Sequence, residues 1–327
     1  MTIKDVAKAA GVSSAAVSRY FNGGSLSEEK REKISKVVEK NHYVPNQTAQ
    51  SMRTGKSGQI GVIVPKIHSD SLTQIMKGIA KSIEQWDYSF ILGCTEGKQE
   101  KEVEYIESMQ RNRIEGIILM GTVMTPYLAA SIKKSKIPIV VTGQTFENVP
   151  CVYFDDKSAM FDLTKLMLKK RKKLAYIGVT EEDLSAGRAR KTGVEKALEE
   201  SGMDKSSLVT RISDFTIEGG YESMKSIIDD ECDIDGVICA TDLIAFGAIQ
   251  ALKEAGKKVP HDVSVAGVGN SWADTISEPQ LTTVKLYYEE CGKTALSMLK
   301  EMIDSGERKH IISRVMLGYE IIERGSI

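Results

Sequence analysis

The feature that most restricts the fold is a series of short apolar runs, each followed by an amphipathic stretch, that starts at residue 60. The runs are IGVIVP (60–65), SFILGC (89–94), GIILMG (116–121), IPIVVTG (137–143), CVYF (151–154), LAYIGV (174–179), GVICAT (236–241) and VSVAGVG (263–269). Apolar strands alternating with helical periodicity predict a parallel α/β sheet covered on both faces. Eight such strands are too many for one small sheet, and Asp155-Asp156 after the fifth reads as a crossover into a second lobe. With 327 residues, 41% of them apolar, the chain can bury a core of that size. No run of about 18 apolar residues exists to span a bilayer.

The front of the chain follows a different rule. Thr2 caps a helix in which Ile3, Val6, Ala7 and Ala10 share one face, Gly11 breaks it, and Ser13 opens a second helix that turns Val17 and Phe21 inward. A third helix, with Ser27 as its cap, buries Ile34, Val37 and Val38 and closes near Asn41 to Tyr43. Pro45-Asn46 punctuates the chain. The stretch from Gln47 to Thr54 is too short and polar to hold a helix by itself, and Gly55-Lys56-Ser57-Gly58 follows as a joint. The predicted division is therefore 1–45, 46–58 and 59–327. Net charge is only −1, yet residues 1–57 hold ten Lys/Arg against five Asp/Glu, a balance of +5, and the remainder hold 34 against 40, a balance of −6. The basic front is the candidate for a polyanionic partner.

Within that front, Thr2-Ile3-Lys4-Asp5-Val6-Ala7-Lys8-Ala9-Ala10-Gly11-Val12-Ser13 is a helix and a glycine turn, leading to Val17-Ser18-Arg19-Tyr20-Phe21-Asn22. Small polar residues at the start of the second helix admit it to a major groove that bulky side chains would block. This stretch, with Tyr43-Val44-Pro45-Asn46 and the α/β layout behind it, resembles the LacI/GalR family of transcription repressors. Val268-Gly269-Asn270-Ser271, with Lys66 after the first sensor strand, is closest to the trehalose and sucrose operon repressors.

The resemblance implies an all-α helix-turn-helix headpiece plus an α/β two-lobe periplasmic-binding-protein-like sensor domain. Its N-lobe would be about 59–156 plus 286–315, and its C-lobe about 157–285 plus 316–327. It implies a cytoplasmic homodimer that represses a sugar-utilisation operon from a pseudo-palindromic operator. Base reading falls to Ser14, Ala15 and Ala16 with Arg19 one turn on, Ala16 standing where most relatives carry Thr. Thr2, Ser13, Ser18 and Asn22 suit phosphates. Asn46, Met52 and Arg53 belong to a hinge helix whose Met52 wedges into the minor groove and which folds only on DNA; Gln50 replaces the usual Arg.

Ligands in open α/β sheets bind beyond the carboxyl ends of strands. Lys66, Ser71, Asp183, Arg190, Thr241, Asp242 and Asn270 are the polar candidates there, with Phe215 and Tyr288 as aromatic faces for a sugar. The expected ligand is a disaccharide or disaccharide 6-phosphate, with Lys66 and Arg190 facing the phosphate. The second cationic position of the trehalose repressors falls near Gly143 and Gln144 here, which lack charge.

Enzyme readings fare badly. His42, His68, His261 and His310 form no HExxH, and there is no CxxC, GxSxG or Walker loop, so neither cofactor nor metal is expected. The five cysteines are odd in number and widely spaced, which suits free thiols in a reducing compartment. A secreted sugar-binding transport protein would share the sensor fold but not the basic front. A catabolite-control-type regulator with a protein co-repressor stays open as an alternative. The chain stops at Ile327 with no leucine-heptad tail, which favours a dimer over a tetramer.

Overall fold

The computed structural model describes residues 1–43, 57–67, 69–86, 88–306 and 312–327. The chain divides into two compact units, Met1–Gly58 and Gln59–Ile327.

In the first unit, α1 (Ile3–Ala10) begins with a reciprocal capping box between Thr2 and Asp5 and ends at Gly11, whose φ of 66° any other residue would adopt only with strain. α2 (Ser14–Phe21) is capped by the Ser13 hydroxyl, which accepts from Ala16 N at 3.2 Å. α3 (Glu28–Asn41) stops at His42 in the left-handed region. Ser27 takes the cap position of α3, but its side chain makes no capping bond; Glu28 and Glu29 supply the negative charge at that end instead. The core is small. Val6, Val17 and Ile34 are fully buried, each contributing about 1.5–3 kcal/mol, and Phe21 stacks edge-on with Tyr20 and Tyr43. Val37 and Val38 pack at the border of this core, half-buried, where the sequence pattern placed them inside.

The second unit holds two six-stranded sheets. Its strands are β1 (Gln59–Val64), β2 (Ser89–Cys94), β3 (Ile117–Met120), β4 (Ile139–Thr142), β5 (Cys151–Phe154), β6 (Leu174–Gly178), β7 (Val209–Ile212), β8 (Gly236–Cys239), β9 (Ser264–Val268), β10 (Thr282–Leu286), β11 (Arg314–Leu317) and β12 (Tyr319–Ile322). The N-lobe sheet runs β11-β5-β4-β3-β1-β2 and the C-lobe sheet β12-β10-β9-β8-β6-β7. All pairings are parallel except β10 with β12. Alternate residues serve the two faces of the N-lobe sheet: Val62, Ile118, Val140 and Val152 join one cluster, and Ile63, Leu119, Val141 and Cys151 the other.

The covering helices are α4 (Asp70–Ile83), α5 (Gln99–Arg111), α6 (Pro126–Lys134), α7 (Asp156–Leu168), α8 (Arg190–Glu200), α9 (Ile217–Asp229), α10 (Asp242–Glu254) and α11 (Tyr288–Ser305). Between β6 and α8 lies a turn of π-helix, Leu184–Ala189. Helices α4 and α11 approach backbone to backbone: a Cβ on Gly78 would stand 2.0 Å from Glu289 O, and one on Gly292 2.1 Å from Ile75 O.

The chain passes between sheets at Asp155-Asp156, at Tyr287 and at Gly318. β11 therefore carries the N-lobe segment to Leu317, past the expected limit of 315. β7, β10, β11 and β12 are absent from the eight apolar runs read from the sequence. All five cysteines are free. Among the described residues no helix is long and apolar enough to cross a membrane.

Candidate functional site

On the headpiece, Ser14, Ala15 and Arg19 are exposed on α2. Arg19 Nε reaches back to Ala15 O at 3.3 Å. Ala16 corrects the expectation: it is 3% exposed and packs with Val6 and Val17, so its methyl is core rather than a base contact. Thr2 and Ser13 cap α1 and α2, which sets their hydroxyl groups beside the N–H-bearing ends of two helices, where anions are favoured. Asn22 Nδ2 donates to Ser18 Oγ at 3.2 Å. Asn46, Met52 and Arg53, and the hinge helix they were assigned to, lie outside the described residues.

In the second unit the polar candidates separate into three groups. The first lies where the lobes join. Arg190 Nε donates to Asp156 Oδ1 at 2.7 Å and Arg190 Nη1 to the Ala240 carbonyl at 2.5 Å. The pair is 6% and 3% exposed. Burial pushes the Asp156 carboxyl up, and Arg190 pulls it part of the way back. Tyr288 stands against Phe154 with ring centroids 5.1 Å apart, its phenol pushed up to about 12 by burial. Arg190, expected to face a phosphate, has two of its nitrogens engaged with Asp156 and Ala240. Next to them Asp183 caps the π-turn through Ser185 N and Ala186 N and accepts from Gln144 Nε2 of the N-lobe at 2.7 Å. Four buried polar atoms of this region have no partner: Thr142 Oγ1, Gln144 Oε1, Asp156 Oδ2 and Tyr176 OH.

The second group serves the fold. Thr241 caps α10 through Ile244 N at 3.3 Å. Asp242 is 4% exposed, and both its oxygens are used, Oδ1 by the Thr283 hydroxyl at 2.5 Å and Oδ2 by Ser271 N at 3.4 Å. Burial first, and then the neighbouring Asp274 carboxyl, hold Asp242 well above the usual carboxyl range. Asn270 Oδ1 accepts from Arg324 Nη2 at 2.7 Å. Asp242 and Asn270, both expected to meet a ligand, are occupied with the loop after β9.

The third group is separate again. Phe215, 38% exposed, walls a cavity of about 350 Å³ with Thr180, Ser213, Asp214, Glu222 and Ser223. Tyr288 is not on its wall, so the two expected aromatic faces do not form one stack. Lys66 stands exposed after β1, and Ser71 in the first turn of α4 shares a hydrogen bond with Ser69 at 2.7 Å.

Sequence reading missed Gln144, Thr142, Tyr176 and Asp156 as site residues. Asp156 stands two residues past the end of β5 and was legible by that rule. Tyr176 sits inside β6, where nothing in the pattern distinguishes a core tyrosine.

The sequence pattern of bacterial regulatory proteins of the lacI family matches residues 2–46, and that of the periplasmic binding protein-like domain matches residues 164–327. The HTH-type transcriptional regulator RegA of Clostridium saccharobutylicum is 31% identical, over 99% of this chain and 98% of that protein. The sucrose operon repressor of Staphylococcus xylosus is 28% identical, over 97% of this chain and 98% of its own length. Among solved structures, the lac repressor dimer bound to operator and the anti-inducer ONPF superposes with a TM-score of 0.90 at 22% identity, over 100% of this chain and 98% of that one.

Proposed function

Since this chain belongs to the lacI family of bacterial regulatory proteins, we propose that it is a sequence-specific repressor of a sugar-utilisation operon, working as a cytoplasmic homodimer and modulated by a disaccharide or its 6-phosphate. The observation that carries this reading is the pairing, in one chain, of a capped helix-turn-helix exposing Ser14, Ala15 and Arg19 with a two-lobe sensor whose junction holds unpartnered polar atoms. Its relatives named above are transcription regulators and an operon repressor, which supports a regulatory reading.

A second copy has surfaces to occupy. Edge strand β2 exposes Phe90, Ile91 and Leu92, and the loop after β9 exposes Trp272 and Ile276, each at 71%. Contiguous exposed apolar residues of this kind mark association surfaces, and a two-fold pair of headpieces would read a pseudo-palindrome.

Fluorescence anisotropy on a pseudo-palindromic operator selected from random DNA tests the reading, with and without sucrose, trehalose and their 6-phosphates. Arg19→Ala is expected to weaken operator binding about tenfold or more, from a lost base contact of about 1–3 kcal/mol, while leaving random DNA nearly unaffected. Equal losses on both DNAs remove the base-reading role. Lys66→Ala is expected to weaken a phosphorylated ligand by about tenfold to a hundredfold and to leave a free sugar unchanged.

A further inference from the structure

The carboxyl group of Asp242, in the first turn of α10, sits against bare backbone. A Cβ on Gly267 of β9 would stand 2.5 Å from Asp242 Oδ1, and one on Gly269 just past that strand 2.6 Å from Oδ2. Thr283 of β10 donates to Oδ1 at 2.5 Å and Ser271 N to Oδ2 at 3.4 Å. The Asp274 carboxyl, 0% exposed, is bonded to that of Asp242, and its Oδ1 takes the Ser271 hydroxyl at 3.2 Å. Two carboxylates have no donor to offer each other, so this bond exists only while one of them keeps a proton.

Arg324, from the tail after β12, is the cation that faces the pair. Its Nη1 is 3.9 Å from Asp274 Oδ2, and its two Nη atoms donate to the Leu281 carbonyl and to Asn270 Oδ1. Lys285 of β10 is turned to Glu320 at 3.0 Å, and Glu278 of the loop and Glu323 of the tail are exposed. The Cys239 thiol of β8 and the Tyr288 phenol of α11 feel Asp242, but burial pushes both up and keeps them neutral. Helix α9 meets α10 backbone to backbone, at Gly220 and Gly247. With one shared proton the two acids and Arg324 sum to zero; without it a negative charge is buried uncompensated, which a protein interior resists. The segment beside the pair has no apolar anchorage of its own. Among the described residues none between Val268 and Leu281 joins a hydrophobic cluster. The 3-10 turn Trp272–Thr275 is held through Ser271 on Asp242, through the carboxyl pair, and through Leu281 N on the Asp274 carbonyl at 3.0 Å.

We propose that one proton shared by Asp242 and Asp274 is a pH-sensitive latch on residues 271–277: as pH rises the proton leaves to solvent, the segment loosens, and a second copy docked on it is held less tightly. The grip on a second copy rests on the homodimer reading above, through exposed Trp272 and Ile276; the latch does not. Burial is the first cause that holds each carboxyl above the ordinary value of 3.8. Stability from the pair is therefore complete below 3.8 and is lost as pH rises through the folded-state value. A dimer built this way is tighter in acid than in alkali.

Two measurements on the full-length chain test it. The chain has two tryptophans, so Trp86→Phe leaves Trp272 as the fluorophore on the segment. The fast component of its anisotropy decay reports how far the segment moves, and is expected to grow between about pH 5 and pH 9. Adding Asp274→Asn replaces the shared proton with an amide hydrogen that does not titrate, and is expected to hold the low-pH value throughout. Asp242→Asn, which sets the same kind of donor against Asp274, is the arm to read if Asp274→Asn does not fold. No pH response in the Trp86→Phe parent, or an undiminished response in a folded amide variant, overturns the latch. Sedimentation velocity over a concentration series reads the second copy. From about pH 6 to pH 9 the dimer dissociation constant of the wild type should rise about tenfold or more, the change that one unit of difference in pKa supplies, and that of Asp274→Asn should not. A constant that ignores pH while Trp272 responds overturns the grip on the second copy. A chain that stays monomeric at both pH values fails the homodimer reading instead, and the Trp272 response then decides the latch by itself.

Discussion

The two buried polar clusters of the sensor unit use the same residue types and reach opposite states. Around the loop after β9, Asp242, Thr283, Ser271, Asn270 and Arg324 use one another, and Asp274 Oδ2, 3.9 Å from Arg324 Nη1, is the atom without a hydrogen bond. At the lobe junction, Asp156 and Arg190 pair at 2.7 Å, yet Thr142 Oγ1, Gln144 Oε1, Tyr176 OH and the second oxygen of Asp156 itself are left over. A network satisfied at all but one atom stabilises a loop, whereas a less complete one between lobes keeps donors and acceptors in place for something that arrives later. Position at a strand end does not tell the two apart; partner counting does.

Removing Arg190 should widen that contrast most. Arg190→Met leaves the Asp156 carboxylate buried without its cation, and such a loss typically costs about 3–5 kcal/mol. Urea unfolding should show a loss of that size together with loss of any sugar effect on operator binding; a loss under about 1 kcal/mol means the pair is not sealed from solvent. Adding Asp156→Leu should return part of the stability and none of the sugar response.

Glu102 is a reference case, an unpartnered buried acid with no cluster around it. It is 3% exposed, Oε2 has no hydrogen bond, and burial lifts its carboxyl from 4.5 to about 7. The folded state keeps this proton longer than the unfolded chain does. Stability from this group is therefore full below pH 4.5 and is lost as pH rises through about 7. Glu102→Gln should remove that decline, with a gain of up to about 3 kcal/mol at pH 8 and little below pH 4.5. Chemical denaturation at several pH values reads it, and parallel curves for variant and wild type count against the burial.

The smallest effect belongs to the closed cluster. Asn270 bonds Arg324 from a φ of 53°. Asn270→Ala should cost about 2 kcal/mol, through the lost bond and the left-handed backbone, and Asn270→Gly less, because glycine accepts that φ. Both should keep the wild-type sugar response; a tenfold loss of sugar affinity with little loss of stability would return Asn270 to the ligand.

Much of this was legible in the sequence because it depends on local rules. Thr2 three residues before Asp5, Gly11 after Ala10 and Ser13 before α2 announce the headpiece, and β2 and β5 were read to the residue because apolar runs there are bounded by polar ones. The strands that escaped are either edges or mixed in character. β7, β11 and β12 lie at sheet margins with partly exposed residues, and β10, TTVKL, carries two buried threonines whose hydroxyls donate to Arg324 O and Asp242 Oδ1. The site was less legible than the fold. Ala16 sits where a reading residue was expected, and only the packing of three helices shows that its methyl faces Val6 and Val17. Gln144 drew notice for lacking a charge, while its hydrogen bond is to Asp183, 39 residues away on another lobe.

The stretch from Arg314 to Ile322 places consecutive strands on the outer side of β5 in one sheet and β10 in the other. During synthesis, then, neither lobe has its full sheet until Arg314 to Ile322 have left the ribosome. Until that moment both β5 and β10 present an open edge, the kind of surface that pairs with other chains. A nascent chain interrupted at Ser313 would leave two such edges rather than one, so a single break in translation there exposes both halves of the sensor to aggregation together.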